Sequence, residues 1–212
     1  MRQHRSTDGR ARIIEEAEHL IHLRGYRGTS LGAIASRCKM TKANLLHHFQ
    51  SKEELGLAVL DYKMDCTRRN CLDAMFSLEA DPFEAVGELF ASAARFHRAN
   101  GCKAGCFIAN IALEMSDLND RFRERTTRFF DEWADRIERN LRRHQAEGLF
   151  GPGLDARTTA EALLALYEGA VMLGRTRRDP RVFDRTGRVA LGLLDAHRAA
   201  APSSAVNAAT RR

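Results

Sequence analysis

Four side chains within one short stretch of this sequence carry groups suited to reading base-pair edges. The stretch is Thr41-Lys42-Ala43-Asn44-Leu45-Leu46-His47-His48. Lysine donates to guanine O6 or N7, and asparagine pairs with N6 and N7 of adenine. If the stretch is a helix with Leu45 turned inward, Lys42, Ala43, Asn44 and His47 are the base-facing candidates. Thr29, Thr41, His48 and Lys52 fall at helix starts or flanks, where hydroxyls, backbone N–H groups and cations meet phosphates. Thiols offer a second chemistry. The chain has five cysteines, Cys38, Cys66, Cys71, Cys102 and Cys106. An odd number with no export signal predicts reduced thiols rather than a disulfide framework. Cys102, Cys106 and His97 would supply three ligands to a soft metal. Nothing fixes a fourth, and the spacing matches no closed zinc site, so no metal or other cofactor is expected.

These groups need helices to hold them. Ile13, Ile14, Ala17, Leu20 and Ile21 fall at helical spacing, which predicts a first helix over 9–24 that Gly25 ends. Residues 1–8 are polar and are read as unstructured. Thr29 or Ser30 caps a second helix with Leu31, Ile34 and Ala35 inward. Thr41 caps a short third helix, closed by Phe49, and Ser51 opens a long fourth one supported by Glu53 and Glu54. Two short helices joined by a tight turn can lay the second in the major groove of DNA.

Charge follows the same division. Residues 1–52 hold ten basic and four acidic residues, whereas the rest holds twenty-four of each. The whole excess of +6 therefore lies on the segment carrying the helix-turn-helix pattern, as expected of a DNA-binding head on a neutral body. No apolar run approaches the roughly 18–20 residues of a membrane span. The opening MRQHRSTDGR lacks the apolar core of a secretory signal, so a cytoplasmic protein with no membrane partner is expected.

Beyond the head the pattern stays helical, with four prolines and little alternation of β-branched residues. The fourth helix is expected to reach about 78, and Pro82 starts a fifth that runs to about 99. A short apolar segment spans 107–115. Phe122, Phe129, Trp133, Ile137 and Leu141 then mark one stripe, ended by the glycines at 148–153. Helices over about 155–175 and 181–196 follow. The first of these is apolar on several faces, which points to a dimer interface on this pair. The Ala/Ser-rich stretch 199–212 is read as an unstructured tail. The expected organisation is a head over 9–54, a body over 55–198 and the tail.

The head resembles the N-terminal domain of the tetracycline-repressor (TetR) family of bacterial transcription regulators. The resemblance rests on Arg12-Ile13-Ile14 with Ala17, Gly25-Tyr26, Thr29-Ser30-Leu31, Ile34-Ala35, Thr41-Lys42, His48-Phe49 and Ser51-Lys52-Glu53 with Leu55. It implies an all-α homodimer of about nine helices, with three N-terminal helices on a palindromic double-stranded DNA operator. It also implies a helical C-terminal domain for effector binding and dimerisation. Two positions depart from the family pattern. Lys39 stands where the turn usually has Gly, at a cost of about 1 kcal/mol if φ is positive there. Leu46 stands where a Tyr usually meets phosphate.

The run Gly101-Cys102-Lys103-Ala104-Gly105-Cys106-Phe107, followed by IALEMSDLNDRFR, is similar to a branch that includes regulators responding to electrophiles and small reactive carbonyls. By that resemblance Cys106 is the sensor candidate, with Cys102 an extra thiol one turn away if the segment is helical. A thiolate there would be favoured by a helix N-terminus and by Lys103. The other reading is a reversibly bound small-molecule effector lined by Phe90, Phe107, Phe129 and Trp133. The expected function is thus a repressor released from its operator by an effector or by cysteine modification. A helical thiol- or metal-dependent enzyme is the alternative, without an HExxH, a phosphate loop or a CxxC to support it.

Overall fold

Apolar residues at three- and four-residue spacing run through almost the whole chain, and the chain answers them with helices. The computed structural model describes residues 4–103 and 105–199, the stretch 4–8 in backbone alone. Among these residues there are nine helices and no strand, counting the interrupted fourth helix as one. They are α1 (His4–Arg24), α2 (Leu31–Arg37), α3 (Lys42–His48), α4 (Lys52–Thr67), α5 (Pro82–Ala99), α6 (Phe107–Met115), α7 (Asp120–Ala146), α8 (Ala156–Arg177) and α9 (Arg181–Asp195). α4 continues through a π-helical turn, Arg68–Leu72, and one last turn, Asp73–Met75. No described helix is long and apolar enough to cross a membrane.

Local chemistry sets the starts. Ser30 accepts the N–H of Ala33, Thr41 that of Asn44 and Ser51 that of Glu54, at 3.0–3.1 Å. Each satisfies one of the orphan donors of a helix's first turn. Two expected boundaries move. α1 begins at His4 rather than at Gly9, so residues 4–8 are helical and only 1–3 of the expected unstructured start lie outside the described residues. α4 stops at Met75, short of 78. Its π turn is held by Arg68, which donates to Glu132 (2.9 Å) and Asp65 (2.7 Å) and lies over the Phe129 ring. The expected head–body boundary at 54/55 falls in the first turn of α4, so this helix belongs to both parts.

The core of the body is the α7 stripe. Phe122, Phe129, Trp133, Ile137 and Leu141 are all buried. Buried Asn140 on the same face donates to the carbonyls of Ser77 and Ala80, both at 2.8 Å, and so fixes the chain between α4 and α5. α5 packs on α9 at Gly187, where an added Cβ would stand 2.9 Å from the Cβ of Phe90. Only a residue without a side chain lets the two helices approach so closely. The C-terminal stretch does not leave the body at 199: the Ala199 N–H donates to the Leu149 carbonyl at 3.0 Å. Residues 200–212 of the expected tail lie outside the described residues.

Candidate functional site

α3 stands out from the head as a reading surface. Leu45 and Phe49 are fully buried, and their burial turns Lys42, Ala43, Asn44 and His47 outward, all exposed. Thr41 spends a lone pair on the Asn44 N–H and keeps its hydroxyl proton for an oxygen anion. His48 is half-buried and packs towards Gly9 of α1, and its carbonyl takes Arg10 Nη1 at 2.6 Å. Arg10 lies over the Phe49 ring, so α1 delivers a cation beside the flank of α3. Lys39 has φ +53°, the left-handed conformation in which a lysine is strained, and is exposed between α2 and α3.

Two flanking assignments change. Thr29 is fully buried, with its hydroxyl donating to the Gly25 carbonyl at 2.8 Å. Ser30 is the cap, and Thr29 locks the α1–α2 turn out of reach of a phosphate. Lys52 is half-buried, with Nζ 3.3 Å from the Arg27 carbonyl and 4.6 Å from the centre of the Tyr26 ring. Burial there lowers its pKa.

A cavity of about 950 Å³ opens between α6, α7 and α8. Its walls are mostly small or aliphatic: Ala109, Ala112 and Leu113, then Phe130 and Ala134, then Leu164, Ala165, Val171 and Met172. Cys106, Asn110, Glu168 and Arg175 interrupt them with polar groups. The four aromatics expected to line a ligand do not. Phe90, Phe107, Phe129 and Trp133 are buried in the core instead. The reason is geometric. Phe129 and Trp133 occupy the inward stripe of α7, and the next residues, Phe130 and Ala134, are turned about 100° away towards the cavity.

The two thiols separate as well. Cys102 is buried at φ +53° in a turn, not in a helix, and does not line the cavity. Cys106 is the N-cap of α6, with Sγ 3.4 Å from the Ala109 nitrogen and facing the Glu168 carboxyl. Burial, reinforced by the Glu168 charge, pushes the Cys106 thiol well above its ordinary value. The helix N-terminus does not overcome this, and Lys103 is exposed to solvent. The resting thiol is therefore protonated rather than the thiolate anticipated. Burial likewise raises Glu168 to about 7, partly offset by the neighbouring Cys106 thiol, and its buried Oε1 has no hydrogen-bond partner among the described residues.

The cavity wall is also the anchor of the head. Just before Cys106, the Gly105 carbonyl accepts from His22 Nε2 of α1 at 2.9 Å, and the His22 ring sits edge-on to Phe107. At the far end of α6, Glu114 accepts the N–H groups of Tyr26 (2.8 Å) and Arg27 (2.7 Å). Gly25 has φ +79°, and a Cβ there would come within 3.0 Å of the same carboxylate. Both ends of one helix thus hold the head. Sequence reading missed His22, Glu114, Glu168 and Arg175. Glu168 had a visible signal, since it is the single charge between Ala162 and Gly174.

Residues 13–59 match the model of bacterial regulatory proteins of the tetR family. Residues 82–190 match that of the tetracyclin repressor-like C-terminal domain. The transcriptional regulator AcuR of Cereibacter sphaeroides is 30% identical over 173 residues, 80% of this chain and 78% of that protein. A crystal structure of a TetR transcriptional regulator from Chloroflexus aurantiacus superposes with a TM-score of 0.83 at 26% identity, covering 93% of this chain and all of the other. The repressor NemR of Escherichia coli is 23% identical over 58% of this chain and 62% of that protein. The fold of its reduced form matches with a TM-score of 0.78 over 92% of this chain and 99% of the other, at 19% identity.

Proposed function

The chain belongs to the tetracycline-repressor family of bacterial regulators, and from that premise we infer a homodimeric repressor that leaves a palindromic operator when an effector fills the α6–α7–α8 cavity. Membership makes it a DNA-binding, ligand-responsive transcription regulator rather than an enzyme. Members of the family bind operator DNA and small-molecule effectors and are typically dimeric. The observation that carries the finer reading is the joint at α6. One face of this helix lines the cavity, and its two ends hold α1 and the turn after it through His22–Gly105 and Glu114–Tyr26/Arg27. An occupant that shifts α6 must shift the head, and two heads on two half-sites tolerate little change in spacing.

In this reading Lys42, Ala43, Asn44 and His47 face bases, while Thr41, His48 and Arg10 sit at the phosphate flank. The dimer forms on α8 and α9, where Val189 of α9 stands exposed. Residues 9–54 with the shared α4 form the head, and the body extends to 198. A reversible occupant is favoured over cysteine modification, because the half-buried Cys106 thiol is protonated. Iodoacetamide at pH 7 should accordingly label half-buried Cys66 well before Cys102 and Cys106, as read by peptide mass spectrometry. Cys106 labelling first would restore the thiol-sensor reading.

The testing measurement is fluorescence anisotropy of the protein on the DNA upstream of its own gene. Tight, salt-sensitive and sequence-selective binding is expected. Asn44→Ala should reduce discrimination at one position in each half-site by about 1–3 kcal/mol. An Asn44→Ala protein with an unchanged sequence preference would remove Asn44 from the reading surface. An absence of selective binding by the wild-type protein would remove the repressor assignment at this DNA.

A further inference from the structure

We propose that the α6–α7–α8 cavity is a receptor for an apolar organic monocarboxylate whose carboxylate binds the Arg175 guanidinium. The inference rests on the repressor reading for its regulatory meaning, but the site itself follows from unmatched groups. Arg157, at the rim, is already paired with Asp135, Glu138 and Glu161. Arg178 is exposed and donates to the Cys102 carbonyl. Arg175 is half-buried, and its one hydrogen bond among the described residues goes to Asn110 Oδ1, at 3.2 Å. No carboxylate of the described residues lies within ion-pairing distance of it. A half-buried guanidinium that lines a cavity, with no described carboxylate in ion-pairing distance, is a place for an anion, because a charge-assisted bidentate pair recovers what burial costs.

The remaining surface specifies the rest of the molecule. Between Arg175 and Glu168, two helical turns apart on α8, the wall is apolar, lined by buried Val171 and exposed Met172. A hydrocarbon body of about 10 Å, two turns of helix, spans that distance. Glu168 closes the far end with a buried oxygen that has no hydrogen-bond partner among the described residues. It takes a proton as pH falls through about 7, so it accepts a neutral end and repels a second carboxylate once ionised. Cys106, Asp131, Glu161, Arg157 and Arg178 are the other titratable or charged groups on the walls, and none supplies a cation beside Glu168. The cavity thus distinguishes monoanions from dianions. The Arg175 guanidinium also stands over Gly105, where an added Cβ would be 3.3 Å from Nη1. Drawing Arg175 towards an anion therefore acts on the segment whose carbonyl holds His22.

The test uses decanoate as the probe, with decanamide as its neutral counterpart and decanedioate as the dianion. Trp133, the single tryptophan, is adjacent in sequence to cavity-lining Ala134 and packs on Tyr167, so its fluorescence reports occupancy. Decanoate should bind the DNA-free protein saturably. Decanamide, and decanedioate at pH 8, should bind at least tenfold more weakly. Arg175→Gln should weaken decanoate at least tenfold, and Arg175→Lys should recover most of the loss while leaving thermal stability unchanged. Equal affinities for decanoate and decanamide, or an Arg175→Gln protein that binds decanoate as the wild type does, would overturn the proposal. Anisotropy on operator DNA separates the two inferences. Arg175-dependent binding that leaves the DNA complex intact would support the anion site while removing its control of the operator.

Discussion

Replacing Glu168 by glutamine should stabilise the protein by up to about 3 kcal/mol at pH 8 and leave it unchanged near pH 4.5. In the native protein this carboxyl is raised from 4.5 to about 7, because burial among α6 and α8 side chains penalises its charge. In the unfolded chain it ionises at its ordinary value. Between these two pH values the native state holds the extra proton. Stability therefore falls as pH rises through the window, by about 1.4 kcal/mol per unit. The sign is opposite to that of a salt-bridged carboxylate, whose contribution is lost in acid. The neighbouring Cys106 thiol gives back part of the cost, and Oε1 finds no hydrogen-bond partner among the described residues to give back more. Glutamine has the same shape and no charge to desolvate. Urea denaturation of the two proteins at pH 4.5, 6 and 8 measures the difference directly. A Glu168→Gln protein equal to or less stable than wild type at pH 8 would mean that the carboxylate is solvated or paired in solution. A residue that lowers stability in the wall of a cavity is consistent with selection for binding rather than for folding.

The contrast between what the sequence disclosed and what it hid follows from the scale of each signal. Caps are local, so Thr41 and Ser51 were readable from a hydroxyl three residues ahead of a free N–H. Thr29 and Ser30 were not separable, since both can cap. Which one turns inward depends on the Gly25 carbonyl left by the preceding turn. The α7 stripe was readable as a period, but a period marks the deepest burial, and a cavity lies on the flank of such a stripe. That flank is built of small residues, Ala109, Ala112, Ala134 and Ala165, whose contribution is the space they leave. Composition gives no emphasis to an alanine, and so the large aromatics drew the assignment instead. Contacts such as Glu114 with Tyr26 join residues 88 apart, and no local pattern announces them.

That last contact carries the second large prediction. Glu114→Ala should lower stability by about 2 kcal/mol and weaken operator binding selectively on two-half-site DNA. The carboxylate accepts two backbone N–H groups at 2.8 and 2.7 Å, and hydrogen bonds to a charged group are worth about 1.5–3 kcal/mol each when enclosed. Here the residue is half-buried, so water replaces part of the loss. The functional effect comes from rigidity rather than from affinity at the bases. Without Glu114 the turn at Gly25–Arg27 loses its carboxylate anchor on α6, and the head is held at the other end of that helix by the His22 contacts to Gly105 and Phe107. Each head still folds around Ile13, Ile34, Leu45 and Phe49, all buried and remote from the change. A duplex with one half-site should therefore bind the variant as it binds the wild type. A duplex with two half-sites requires both heads at one spacing, and there the variant should lose much of the advantage that the fixed spacing confers. Anisotropy on the two duplexes at equal salt makes the comparison. Equal losses on both would show that the head itself is damaged. No loss on either would show that α4 alone sets the spacing, and that the bond from the cavity helix to the head does not transmit the signal.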